Sequence, residues 1–103
     1  MSDDIIRFDD MYLEEGVVVT VPFGDELPTG VTLSGTPTVS VSVIGGTADP
    51  SPSALVIDKA ISGSDVLVAL DGSVAGVQYE FRVTCSTTNA NLRPTRCCRI
   101  YVK

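Results

Sequence analysis

Histidine and tryptophan are both absent from this chain of 103 residues. Histidine is the side chain that enzymes use most often for proton transfer, and it is also the commonest metal ligand. The serine-rich stretches have no histidine to activate a hydroxyl as a nucleophile. We therefore expect a protein that is not an enzyme and that binds no cofactor.

Cysteine is scarce, and long apolar runs are missing. Cys85, Cys97 and Cys98 are too few for a disulfide scaffold and lack the spacing of a zinc site. The longest apolar stretches, such as Val66–Leu70, have the length of a strand and not of a membrane span. Because MSDDIIRFDD has acids where a secretory signal has basic residues, we expect synthesis in a cytoplasm and no contact with a membrane.

The charged residues are few and unevenly placed. The net charge is −6, and eight of the 13 acids precede residue 27, where only Arg7 opposes them. From Glu80 to Lys103 the sequence has five basic residues and one acid, Glu80 itself. An acidic chain is a poor ligand for nucleic acid, which needs clustered lysine and arginine. Either the two ends are ordinary solvated surfaces, or they attract each other within one chain or between copies.

The residues that are present favour β-strands almost throughout. Val39, Val41 and Val43 alternate with serine, which is the period of a half-buried strand. Val17–Phe23 is rich in β-branched residues, and the Gly, Pro and Ser of Gly45–Ser53 break the chain most strongly. About six or seven short strands in this length predict an all-β fold, a small antiparallel β-sandwich. A jelly roll or a small barrel is the alternative.

We divide the chain into a sandwich domain, residues 17–103, and an acidic N-terminal arm or edge segment, residues 1–16. Phe8, Tyr12 and Leu13 form a short apolar strip in this segment, which is either a docking strip or an ordinary sandwich edge. With so few apolar groups the segment is expected to become ordered only on docking. Its adjacent pairs of acids lack the alternating spacing of a calcium loop.

The last two predicted strands form a hairpin. Alternation directs Tyr79 and Phe81 inward, and pairing Phe81 with Val102 also places Cys85 opposite Cys98. A disulfide between directly paired strands is usually strained, so we predict free thiols. Tyr79 has the position of the tyrosine that ties a corner in immunoglobulin-like domains, although a plain core aromatic is equally consistent.

The stretch from Leu70 to Lys103 resembles the C-terminal half of small Ig-like virion proteins of tailed bacteriophages. The matching positions are Gly72, Ala75, Gly76, Tyr79, Val83, Thr84, Thr87, Thr88, Arg96, Arg99, Ile100 and Val102. The stretch YLEEGVVVTV resembles the first strand of that group, with Tyr12 where a tryptophan is usual. The doubled cysteine is a departure from the group's pattern.

This resemblance implies a structural protein located in the virion and present in several copies. Its partners would be other virion proteins: tail, fibre, portal or adaptor, or major capsid protein. Fibre-to-tail adaptor is the first hypothesis and capsid decoration the second. A carbohydrate-binding module for host adhesion is a third, although sugar binding usually needs exposed aromatics. We predict docking through Phe8, Tyr12, Leu13, Arg96 and Arg99.

Overall fold

Seven strands make up most of the protein, which is described by a computed structural model over residues 5–72 and 74–103. They are β1 (Ile5–Arg7), β2 (Gly16–Pro22), β3 (Leu33–Gly46), β4 (Val56–Ser62), β5 (Asp65–Asp71), β6 (Val77–Thr87) and β7 (Thr95–Val102). Two short 3-10 turns, Gly24–Glu26 and Pro52–Leu55, lie in the connections. The predicted strands are therefore present, and β3 begins earlier than the valine–serine alternation indicates.

The strands form two sheets, with the orders β1-β7-β6-β3 and β2-β5-β4. All neighbours are antiparallel except β1 and β7, which are parallel. Immunoglobulin domains pack a sheet with the order β2-β5-β4 against a sheet that contains β3, β6 and β7, as this protein does. Here the first strand, β1, pairs with the last strand, β7. The prediction of an all-β, Ig-like sandwich is confirmed.

The core lies between the sheets, and β6 supplies its largest share. Alternate residues of β6 are buried from one end to the other, as the period of two requires. The inward residues are Val77, Tyr79, Phe81, Val83, Cys85 and Thr87. From the opposite sheet Val66, Val68 and Leu70 of β5 are fully buried against this layer. Both predicted aromatic positions therefore lie inside.

The register of the last hairpin differs from the predicted one by four residues. Phe81 lies opposite Cys98, and Val102 lies opposite Val77. An even shift leaves every side chain on its predicted face, which explains why the inward set is right although the pairs are wrong. Cys85 and Cys98 are consequently not opposite each other.

The connection between β6 and β7 accounts for this shift. The pairing of these strands ends at Thr84 and Thr95, and one further bond joins the Cys85 amide to the Pro94 carbonyl at 3.2 Å. Ser86 and Thr87 pair only with β3. The hydroxyl of Thr87 lies 2.9 Å from the carbonyls of Asn89 and Leu92 and accepts the amide of Asn89 at 3.1 Å. A side chain that organises its own loop in this way leaves no distinctive mark on strand periodicity.

The N-terminal segment belongs to the four-stranded sheet. Residues of β1 pair with Cys97–Arg99, and the amides of Phe8 and Met11 donate to the carbonyls of Arg99 and Tyr101 at 3.0 and 2.9 Å. Met11 is 1% exposed. Residues 5–13 therefore run along the edge of the four-stranded sheet. That this segment becomes ordered only on docking stays a prediction. Residues 1–4 of the predicted arm, including Asp3 and Asp4, lie outside the described residues.

Gly72 allows this segment to approach the sandwich closely. A Cβ atom at residue 72 would lie 2.9 Å from Val102 Cγ1 and 3.5 Å from Met11 Cε. Only glycine fits without displacement, and the Gly72 carbonyl accepts the amide of Glu14 at 3.0 Å. The turn glycine before β6 therefore holds the N-terminal segment as well.

The substitution Phe81→Ala should reduce the free energy of unfolding by about 3–5 kcal/mol, since it removes a fully buried aromatic ring. The matched control, Ile57→Ala, truncates a side chain that is 62% exposed and should change stability by less than about 0.5 kcal/mol. Urea unfolding of both variants measures the difference. Equal effects would show that the inward face of β6 has been assigned incorrectly.

Candidate docking surface

The predicted apolar strip divides into one internal and two external side chains. Phe8 stacks on Phe81, with ring centroids 6.1 Å apart and an interplanar angle of 9°. Tyr12 is 62% exposed and Leu13 is 42% exposed. Phe8 thus joins the core, whereas Tyr12 and Leu13 form an exposed apolar tip, which we call the Tyr12–Leu13 tip.

A tight turn holds this tip. The amide of Glu15 donates to the Tyr12 carbonyl, and the carboxylate of Glu15 accepts the Tyr12 amide at 2.9 Å. Glu14 has a positive φ of 67°, a left-handed conformation that is uncommon for a residue with a side chain. The amide of Leu13 donates to the Lys103 carbonyl at 3.0 Å. These bonds position the tip on rigid backbone.

Lys103 gives the tip a second interaction. Its ammonium nitrogen lies 4.7 Å from the centroid of the Tyr12 ring, within the range of a cation–π contact. This contact orients the Tyr12 ring within the chain. Tyr101, 37% exposed, lies in β7, two residues before Lys103.

The two predicted docking arginines are engaged within the chain. Arg99 binds the Glu80 carboxylate through Nε and through a terminal nitrogen, both at 3.1 Å. Arg96 donates to the carbonyl of Pro22 at 2.9 Å, linking the two sheets. A second ion pair, Arg82–Glu80 at 3.7 Å, lies within β6, whereas Arg99–Glu80 joins β7 to β6. Over residues 5–72 and 74–103 neither ion pair joins the acidic segment to the basic hairpin.

Tyr79 ties a loop, although not the one immediately before it. Its hydroxyl donates to Asp49 Oδ2 at 2.5 Å, and Asp49 Oδ1 accepts the amide of Ser51 at 2.9 Å. The tyrosine thus fixes the connection between β3 and β4 instead of the turn between β5 and β6. Burial, and then the hydrogen bond and charge of Asp49, raise the pKa of the Tyr79 phenol.

All three cysteines are free thiols. Burial raises the pKa of Cys98 to about 12, with a further contribution from Cys97. Burial also raises the pKa of Cys85, and its Sγ lies 3.6 Å from the Ser34 carbonyl. Since the thiolate is the nucleophile, neither buried thiol has the chemistry of a reactive cysteine. Cys97 is half-buried, on the opposite side of the strand from Cys98.

In the described part of the chain no three histidine, cysteine or acidic side chains are grouped as a metal site would need. No helix among those residues has the length and hydropathy to cross a membrane. A groove of about 420 Å³ runs between the N-terminal segment and β2. Phe8, Met11 and Ile100 contribute to its lining, and Val17–Thr20 forms one wall.

Two of these features were not predicted from the sequence. Asp49 was hidden in the Gly- and Pro-rich break, where an acid ordinarily indicates only a turn. The stretch VVVTV, which forms the wall of the groove, is recognisable in the sequence as an uncharged strand. Its position at a sheet edge depends on the order of the strands in the sheet, which the sequence pattern does not give.

Comparisons with known proteins add little to this geometry. No protein-family model matches the chain, and no curated protein matches it. A solved structure described as "Solution Structure of Amebosin" aligns over 97% of this chain and 99% of that chain, with 13% identity and a TM-score of 0.37. Similarity at that level carries no argument about fold or function.

The Tyr79–Asp49 bond predicts a defined pH dependence. The contribution of Tyr79 to stability is complete below about pH 10 and is lost as the pH rises, because the unfolded chain releases the phenol proton first. Tyr79→Phe should cost about 1.5–3 kcal/mol near neutral pH, the range for a hydrogen bond to a charged group. It should also flatten the alkaline decline of stability.

Urea unfolding at several pH values above neutrality tests this prediction. Tyr101→Phe, which removes the hydroxyl of a partly exposed tyrosine, is the control and should retain the wild-type slope. The raised pKa values of the buried thiols contribute equally to all three proteins. Identical slopes for wild type and Tyr79→Phe would contradict the proposed tie.

A thiol reagent should modify Cys97 first in the folded protein, because Cys85 and Cys98 are buried. After denaturation without a reductant, all three cysteines should react. Mass spectrometry of the modified protein measures both stages. Reaction of a single thiol after denaturation would instead indicate a bond between Cys85 and Cys98.

Proposed function

We propose that this protein is a non-enzymatic structural component of a tailed-phage particle that docks one component to another. A fibre or other appendage joined to the tail is the arrangement we favour. The observation that carries the proposal is the Tyr12–Leu13 tip, an exposed aromatic and aliphatic pair fixed on a small rigid sandwich. The similarity of the last two strands to Ig-like virion proteins supplies the phage context.

The physical properties of the tip suit a contact between proteins. Tyrosine contributes a large contact area and loses little conformational entropy, which is why it is enriched in the centres of interfaces. The tip is already held by backbone bonds and by Lys103, so docking need not order it. The sandwich then acts as a spacer that carries force between the partners. Synthesis in the host cytoplasm and final location in the virion belong to the same proposal.

Arg96 and Arg99 have a smaller part in this proposal than the sequence indicated. Their side chains bind Pro22 and Glu80, so a partner would have to compete with contacts that already exist. We assign them to holding the sandwich, and we assign the partner contact to Tyr12 and Leu13.

Reconstitution with particles that lack this protein tests the proposal. Purified protein should rebind such particles, and Tyr12→Ala with Leu13→Ala should weaken binding by about 30-fold or more, which corresponds to at least about 2 kcal/mol for an interface centre. Ile57→Ala removes an equally exposed apolar side chain elsewhere and should bind like wild type. Co-sedimentation measures binding.

The number of bound copies separates the two structural roles. A number equal to one ring of subunits supports the tail adaptor, whereas a number close to that of the major capsid protein supports capsid decoration. No rebinding of correctly folded protein would contradict the docking proposal, and so would equal binding by the tip variant.

A further inference from the structure

The four sheet edges of the sandwich differ in how they are protected against pairing with another strand. Edge strands in soluble proteins are usually short, bulged or charged, because an open edge is a template for strand addition. β1 has three residues. β3 has register shifts near Ser34 and Val43, and β4 has one near Val56 followed by Asp58 and Lys59. Each of these three edges is therefore protected against the addition of another strand.

The remaining edge, β2, has none of these protections over most of its length. Its seven residues, GVVVTVP, contain no charge, and its pairing with β5 is continuous without a shift. Val18 is 65% exposed. Beside Gly16 there is open space, since nothing lies within 4 Å of an added Cβ atom. The strand is uncharged, is paired without a shift and lies at the end of its sheet.

The hydrogen-bond phase shows which backbone groups of β2 face the open edge. The amide of Phe23 donates to the Ser64 carbonyl at 3.0 Å, which extends the β2–β5 ladder by one directly opposed pair. Bonded pairs alternate in an antiparallel ladder, so Val17, Val19 and Val21 bond to β5. The backbone groups of Val18 and Thr20 are directed away from it.

Pro22 agrees with this phase and closes one end of the edge. Like those of Val18 and Thr20, its backbone groups are directed away from β5. Proline has no amide hydrogen, and at this position no hydrogen bond to β5 is lost. Its carbonyl accepts the guanidinium of Arg96 at 2.9 Å. Arg96 therefore caps the end of β2, and the open portion is Gly16–Thr20.

The groove of about 420 Å³ runs beside this open portion. Phe8, Met11 and Ile100 give it an apolar lining. Of the described residues that line it, Asp9, Asp10 and Glu15 are acidic and none is basic. An added strand would place alternate side chains toward the apolar lining and would bring its flanking residues beside three carboxylates.

We propose that the open edge of β2 accepts an extended segment of a partner protein in which apolar residues alternate with lysine or arginine. This inference rests on the proposed function for the identity of the partner, which would be another virion component. A second copy of this chain is disfavoured as the occupant, because pairing β2 with β2 would bring two acidic rims together. Strand addition supplies backbone bonds for affinity and the acidic rim supplies selectivity.

Residue-resolved hydrogen exchange with a synthetic peptide of alternating valine and lysine tests the inference. In the free protein the amides of Val18 and Thr20 should exchange much faster than those of Val17 and Val19. The peptide should protect Val18 and Thr20 and leave the other two unchanged. A peptide with glutamate in place of lysine should give no protection.

Charge variants test the rim. Asp9→Asn with Asp10→Asn should weaken binding of the lysine peptide by up to about tenfold, because it removes two exposed charge pairs. Asp58→Asn, the same change on the opposite edge of that sheet, should leave binding unchanged. Equal binding by all these proteins would overturn the inference, and so would protection that appears on β4.

Two further outcomes identify which proposal fails. Concentration-dependent protection of Val18 and Thr20 in the free protein would show that a second copy occupies the edge, which overturns the assignment of the partner. Particles lacking this protein provide the other comparison. Rebinding without protection of these amides would overturn the edge inference and leave the docking function standing. Protection by the peptide without any rebinding to particles would do the reverse.

Discussion

The rest of the structure depends on the inward face of β6. This strand lies between β7 and β3 in one sheet, and its alternate side chains face the other sheet. Phe81 is packed on one side by the stacked ring of Phe8, and Tyr79 reaches the loop that holds Asp49. The same row of side chains therefore closes the core, anchors the N-terminal segment and fixes a loop. In a small domain, where the core is limited by the surface-to-volume ratio, one strand with all these contacts carries a large share of the stability.

The N-terminal segment shows how one short stretch serves both the core and the surface. Met11 is almost completely buried, while its neighbours Tyr12 and Leu13 are exposed. Backbone bonds to β7 pin both sides of Met11 and define the turn that follows. The position of the proposed tip therefore follows from the burial of Met11, because Met11 fixes the backbone from which Tyr12 and Leu13 extend. The β2 edge has a related origin, since a first strand that pairs with β7 leaves β2 without a neighbour on that side.

Electrostatics act locally in this molecule. Glu80 forms ion pairs with Arg99 and Arg82. Part of the positive charge of the β6–β7 hairpin is therefore balanced within the hairpin. The acids of the N-terminal segment instead surround an apolar groove. In the strand addition that we propose, the carboxylate rim beside the uncharged edge selects partners by charge, and the apolar lining supplies the burial energy.

Periodicity and composition by themselves determined the strands, the inward faces and the class of sandwich, because a period of two places alternate side chains on one face and the apolar set is the one that is buried. The inward positions of Phe81 and Cys98 follow directly from it. Only the tertiary structure decided the register of β6 with β7, the partner of Tyr79, and the placement of β1 beside β7. Each of these is a contact between residues distant in sequence, and a shift by an even number of residues satisfies the same pattern. The open edge of β2 belongs to this second group, since a strand becomes an edge only when the sheet order leaves it without a neighbour.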